Sequence, residues 1–403
     1  MVEGEQPVSG SPGRLWLFSV LTTVALPLLA AAVWSLGAEA SEGGLTRWRM
    51  HDLGVLPGDR VSWPVGINEL GQVVVNSNRS GVLSRCHAFV RQDRKVTRLS
   101  TLGGSSTCAS AINERGQVVG SSSTSTGREH AFLWQAGRMR DLGTLPGGRI
   151  SAAVALNERG QVVGWSTTRS GARHAFLWQR GRMLDLGTLG SRNSKAADIN
   201  ESGWVVGAAD VQRPSGGPPS TCIDTDPYPL SHAFLWRKGK MLDLGTLPNL
   251  PRSTAIRVTD GGRVIGEANW DSGGNRHSQS GFVWQDGTMT ALSAAPGAPC
   301  PSGLLPADAN ERGEIVGSFD FPGIWRDGRL EQLDFLGRAT AINERGEVVG
   351  TRDSQTGEAR AFVWENGRLG NLGGANTQAL ALNDRGQIAG RSGSHAVLWT
   401  PVG

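Results

Sequence analysis

Five histidines head a recurring "HAFLW"-type segment, at His87, His130, His174, His232 and His395. Imidazole is the commonest metal ligand and the side chain that titrates near neutral pH, so equivalent histidines invite reading as a metal ring. A second set is carboxylate: Glu69, Glu114, Glu158, Glu201, Glu311 and Glu344 fill one slot of a recurring "NERG"-type turn. A glycosidase needs two such groups about 5–10 Å apart in one cleft. A third set is aromatic. Trp63, Trp165, Tyr228 and Trp270 fall outside the repeated motifs, and aromatic side chains of that kind anchor binding surfaces. Cys86, Cys108, Cys222 and Cys300 complete the candidates, with no C-x-x-C and no zinc-like Cys/His spacing. No G-x-S-x-G elbow, P-loop or H-E-x-x-H occurs, and "DTDPY" at 224–228 is only a partial echo of a calcium loop. The motifs thus assign no catalytic residue, no metal site and no cofactor.

The elements that carry these residues form a repeat. The Asn of "INERGQVVG" and its near copies falls at Asn68, Asn113, Asn157, Asn200, Asn310, Asn343 and Asn383, with Thr259 in the same slot. Spacing mostly near 40–45 residues, with abundant Gly and Val, is the signature of a propeller array. Each unit divides into four short apolar pieces, for example "AAVALN", "QVVGWS", "HAFLW" and "RMLDLGTL". Bounded by turn residues, each reads as a strand, here lettered A to D. "QVVG" and "AFLW" are apolar almost throughout, as strands covered on both faces are. Gly in "WQAGRM", "WRKGKM" and their kin, and Asn and Gly in "NERG", supply tight hairpins. The first repeat-like piece, "RMHDLGVL", reads as strand D and the last, "HAVLW", as strand C. Pairing them would close a ring without a free edge. The expectation is an all-β chain: one β-propeller of about eight four-stranded blades, with seven as the alternative.

That frame judges the candidates. Strands lie about 4.7–4.9 Å apart, so strand C sits about 10 Å outside strand A. One His per blade at that radius cannot converge on one ion. The reading preferred is a hydrogen-bond post at each strand end, paired with Asp141, Asp185 or Asp243 of "DLG". The Glu of "NERG" reads as a solvated turn residue. The motif tryptophans at Trp134, Trp178, Trp236, Trp284, Trp325, Trp364 and Trp399 read as packing between blades.

The linked motifs "HAFLW", "DLGTL" and "INERGQVVG" resemble the HAF repeat of bacterial extracellular repeat proteins, over residues 49–399. The resemblance implies an exported repeat protein of unassigned role and no established activity. Departures are Arg91 in the Trp slot of the first copy, Thr259 for Asn, and Phe321 in a His slot.

Export is also read from the N-terminus. Residues 15–36 form an uncharged apolar run, followed by Ala38-Glu39-Ala40 in the arrangement of a cleavage site. Residues 1–40 are therefore a signal peptide or, if uncleaved, a membrane anchor, and 41–403 the propeller. A secreted, periplasmic or cell-surface location follows, in which four cysteines suggest disulfides with three possible pairings. Cys86–Cys108 and Cys222–Cys300 are candidates. The net charge is +4, and basic residues occur in every repeat along the chain, whereas a nucleic-acid binder concentrates them. A monomer is expected.

The A–B and C–D turns share one face of the ring and stay short. The large insertions, 208–231, 267–280 and 293–306, fall in the B–C and D–A connectors of the other face, with Trp63, Trp165, Tyr228 and Trp270. Variable loops on a rigid scaffold are where binding concentrates. The expected function is a non-catalytic scaffold binding an unknown protein or glycan. The alternatives are a hydrolase or lyase drawing on Asp224, Asp226, Asp271 and His277, and a structural envelope component.

Overall fold

The computed structural model describes residues 46–80, 85–212, 230–271, 276–293, 303–319, 321–354 and 357–402, with backbone alone at 270–271 and 276–278. The expected signal or anchor at 1–40 lies outside them. Among the described residues every regular element is a β-strand, and the strands form eight four-stranded antiparallel sheets. The protein is a β-propeller of eight blades, not seven.

Blade 3 illustrates the unit. Its strands A to D are Ser151–Leu156, Val162–Thr167, Arg173–Gln179 and Arg182–Asp185, each paired with its sequence neighbour. Blade 8 takes strands A to C from Thr377–Leu382, Ile388–Ser392 and His395–Val402, and strand D from Arg47–Gly54 at the start of the fold. The register runs from Arg47↔Val402 to Gly54↔Ala396. The closure expected from the sequence is formed.

Packing follows the two-residue period of a strand. On strand C of blade 3, Phe176 and Trp178 join a cluster with Val119, Ala131 and Leu142 of blade 2. The alternate residues Ala175 and Leu177 join Ala196, Val205 and Phe234 of blade 4. Both faces are covered, which is why the strand reads as continuously apolar. The equivalent Phe89, Phe132, Phe234, Phe282 and Phe362 are also fully buried.

Strand A carries a β-bulge in every blade, such as the register shift between Ala153 and Ala155. The bulge presses a carbonyl onto strand B, and a Cβ on Gly164 would collide with the Ala152 oxygen. The last Gly of "QVVG" is therefore a steric requirement of the bulge opposite it. Blade 1 has Val75 in this slot, opposite Pro64.

Gly164→Ala should destabilise the propeller by about 1–3 kcal/mol, because the extra methyl forces the backbone of two strands apart. Gly374, with open space around it, should accept Ala with little change. Urea midpoints of the two variants test the difference.

Candidate functional site

The A–B turns form a ring of hydrogen bonds. In blade 2 the buried Asn113 accepts the Gln117 N–H at 2.9 Å and donates to Gln117 Oε1 at 2.8 Å. Its second amide hydrogen leaves the blade and reaches the Asn157 carbonyl of blade 3 at 3.1 Å. Asn68, Asn157, Asn200, Asn310 and Asn343 make the same bridge to the next blade, and Asn383 closes the circle on Asn68 at 3.0 Å. Thr259 is the one gap. Its hydroxyl accepts the Arg263 N–H at 3.1 Å, but no bond runs from its side chain to Asn310.

A second ring lies beside it. The Glu69 N–H donates to Glu114, Glu114 to Glu158, Glu158 to Glu201 and Glu201 to Asp260. Asp260, Glu311, Glu344 and Asp384 continue it, and Asp384 returns to Glu69 at 2.7 Å. These carboxylates are thus not merely solvated turn residues. Each accepts an amide from the preceding blade, a contact between residues that are remote in sequence. Glu114 is pushed above its ordinary range by burial and by Glu69, Glu158 and Asp384 nearby, against the Glu69 amide that favours its charge.

The histidines are posts, as their radius requires. Nδ1–H of His130, His174 and His232 donates to Asp141, Asp185 and Asp243 on strand D at 2.8–2.9 Å. His395 does the same to Asp52 across the closure. In blade 1, where Arg98 stands opposite Phe89 in the Asp slot, His87 recruits Asp59 at 2.9 Å. Blades 5, 6 and 7 lack both members: the Asp slot holds Ala291, Gln332 and Asn371. The His occurs only where an Asp is in reach, in the strand D slot of four blades and at Asp59 in blade 1, as a structural pair requires. Burial raises the Asp243 carboxyl, but the His232 hydrogen bond, the Gly245 amide and the imidazole charge outweigh it and hold it below its ordinary range.

The opposite face holds the non-repeating residues. A cleft of about 570 Å³ opens at blade 4, lined by Leu189, Val211, Leu230, Pro251 and the His232–Asp243 pair. Trp165, half-buried on strand B of blade 3, carries the Arg173 guanidinium 4.7 Å from its ring centre. Trp63 is half-buried on strand A of blade 1, opposite Asn76. Trp270 lies in strand B of blade 5 paired with Ser278, so much of 267–280 is extended hairpin rather than the loop expected. These tryptophans stand on three blades, and Trp63 and Trp165 do not line the cleft. Tyr228, Cys222, Cys300, Asp224 and Asp226 lie outside the described residues, as do the side chains of Asp271 and His277. Cys86 and Cys108 are disulfide-bonded, with Cα atoms 5.1 Å apart, joining blade 1 to blade 2. The cleft left no signal in the sequence because separate blades contribute its walls. Arg173 could have been noticed only as a cation near Trp165 across a hairpin.

Thr259→Asn should complete the inner ring by supplying the missing donor to Asn310, raising stability by about 0.5–1.5 kcal/mol, measured as a higher urea midpoint. The depressed Asp243 contributes stability that is present above its ordinary range and lost as pH falls through its folded value. Asp243→Asn should therefore flatten the loss of stability between about pH 5 and pH 3 relative to the parent chain, as read from denaturation midpoints across that range.

No family model matches this sequence, and no curated protein matches it. Among solved structures, the β-propeller domain of the Trilobed protease from Pyrococcus furiosus aligns at a TM-score of 0.49 and 11% identity, over 79% of this chain and 97% of that one. A puromycin-hydrolyzing peptidase of Mycobacterium tuberculosis aligns at 0.47 and 13%, over 83% of this chain and 57% of that one. A streptogramin B lyase aligns at 0.40 and 11%, over 88% and 98%. At these identities the likeness extends to the fold and no further.

Proposed function

We propose that the chain is an exported propeller of the HAF-repeat type, a non-catalytic scaffold whose B–C and D–A face binds a protein or a glycan. One observation carries the reading. The turns of the A–B face are occupied in holding the ring together, whereas the cleft at blade 4 and Trp165 with its stacked Arg173 lie on strands and connectors that differ from blade to blade. The cleft combines the apolar Leu189, Val211, Leu230 and Pro251 with Gln212, Thr246 and the His232–Asp243 pair, groups that could orient a ligand. Both flanks of the cleft, Val211 and Leu230, are the strand ends that carry the longest B–C insertion.

The cleft also holds a His–Asp pair, which keeps a hydrolase or lyase as the second reading. Three other blades hold the same pair between strands C and D, so chemistry would have to come from what the cleft adds around it.

Glycan-array and pull-down binding by the purified protein should fall about tenfold or more in Trp165→Ala and Trp270→Ala, by analogy with aromatic anchors elsewhere. Binding that survives both substitutions and replacement of the 213–229 segment by a short linker would remove this face as the binding surface. Turnover in a screen of polysaccharides and esters, abolished by His232→Ala, would establish the enzyme instead.

A further inference from the structure

The C–D hairpins lie on the same face as the inner ring, and radial contacts tie the two together: Gln72 donates to Gln92 at 3.1 Å, Gln117 to Gln135 at 3.1 Å and Gln161 to Gln179 at 2.7 Å. Along the chain the basic residues look dispersed, but folding gathers them at these tips. Blade 8 presents Arg47 and Arg49, and blade 1 presents Arg94 and Lys95 beside Asp93. Blade 2 follows with Arg138 and Arg140, blade 3 with Arg180 and Arg182, and blade 4 with Arg237, Lys238 and Lys240. All are exposed, and none forms an ion pair among the described residues. The same positions of blades 5 to 7 are balanced, with Asp286, Asp327, Glu331 and Glu365 against Arg326, Arg329 and Arg368.

The first central residue of these hairpins has a positive φ in blades 1 to 7. Blades 1, 5, 6 and 7 fill it with Asp93, Asp286, Asp327 and Asn366, residue types that tolerate that region. Blades 2, 3 and 4 fill it with Ala136 at φ 48°, Arg180 at φ 51° and Lys238 at φ 50°, for which it is strained. Ala136 shows that the slot accepts strain without a charge, so the strain assigns no role; what sets Arg180 and Lys238 apart is that their charges extend the basic arc.

We infer that the tips of blades 8 and 1 to 4 form a second binding surface, separate from the cleft face, that takes a flexible acidic polysaccharide along the rim. Arginine forks suit its carboxylates or sulfates. The shape of the charge selects this partner. A flat anionic lipid surface laid on this face would also cover the central ring of carboxylates, whereas a linear polymer on the rim avoids it. Duplex DNA, with a persistence length of about 150 bp, is too stiff to follow the rim. Single strands need aromatic platforms, yet Trp134 is buried and Arg140 and Arg237 cap Trp178 and Trp204 at 4.9 Å.

The test passes the full-length chain over immobilised polygalacturonate. Retention at low salt, eluted as salt screens the charges, is expected. It should weaken about tenfold or more in an Arg138→Glu, Arg182→Glu, Lys238→Glu, Lys240→Glu variant. The milder Arg180→Asn, Lys238→Asn variant should lose affinity while its thermal midpoint rises, a pairing that a purely structural role does not give. An equal loss on reversing Arg128, Arg149, Arg169 and Arg192 of the opposite face would overturn the proposal by showing net charge alone at work. Unchanged retention in the Asn variant, or stronger competition by poly(dT) or phosphatidylglycerol vesicles than by free polygalacturonate, would overturn it as well. The cleft-face substitutions should leave this retention intact, so the two readings fail separately.

Discussion

The propeller depends on what one buried amide does with its two hydrogens. Inside its own turn, Asn113 spends its oxygen and one N–H on Gln117; the other N–H has no partner within the blade and must find one outside. A buried donor left unpaired costs about 1–3 kcal/mol, so the neighbouring turn is required at one distance and one height. The residue that makes the hairpin therefore also sets the blade-to-blade spacing. Seven local decisions hold the ring, because each Asn is satisfied only by the next turn. Position 259 shows the two duties coming apart: a hydroxyl closes the turn and leaves the bridge unmade.

Closure repeats that logic at larger radius. Near the axis Asn383 donates to Asn68. Further out, Ser62 of blade 1 donates its amide to the Ser394 carbonyl and accepts the Ala396 amide on its hydroxyl. At the rim, strand D of blade 8 comes from Arg47–Gly54 and the His395–Asp52 pair crosses the seam. The last blade is joined at three radii, and strand C of blade 8 is not left as an unpaired edge.

What the sequence made legible was what local physics decides. Alternating burial, turn residues and the split of strand D from its blade were readable because each depends on a few adjacent positions. The "QVVG" glycine was readable as a repeat but not as a requirement, since the carbonyl it avoids belongs to another strand. The Glu of "NERG" looked like a solvated turn residue because its partner amide lies in the adjoining blade, 33 or more residues away along the chain. Trp270 looked like a loop residue because "EANWDSGGNRHSQS" has no apolar alternation, yet its backbone continues the ladder to Asp271↔Arg276. The cleft and the basic arc share one cause of invisibility: both are sums over blades, and a chain read residue by residue disperses what the ring collects.

A repeat also supplies its own control, which a single-copy fold lacks. A residue kept only where its partner is in reach, such as the His of strand C with an Asp from strand D or, in blade 1, Asp59, identifies a pair whose need is each other. Positions that recur almost everywhere, such as the turn Asn in seven of the eight A–B turns, identify the scaffold. The informative positions depart without a compensating partner. Arg180 and Lys238 occupy a backbone slot that Asp93, Asp286, Asp327 and Asn366 fill without strain, and Ala136 shares that strain with no charge to offer. The slot alone therefore assigns nothing; what the repeat does not account for is the row of like charges along one arc of the rim, which no ion pair among the described residues balances.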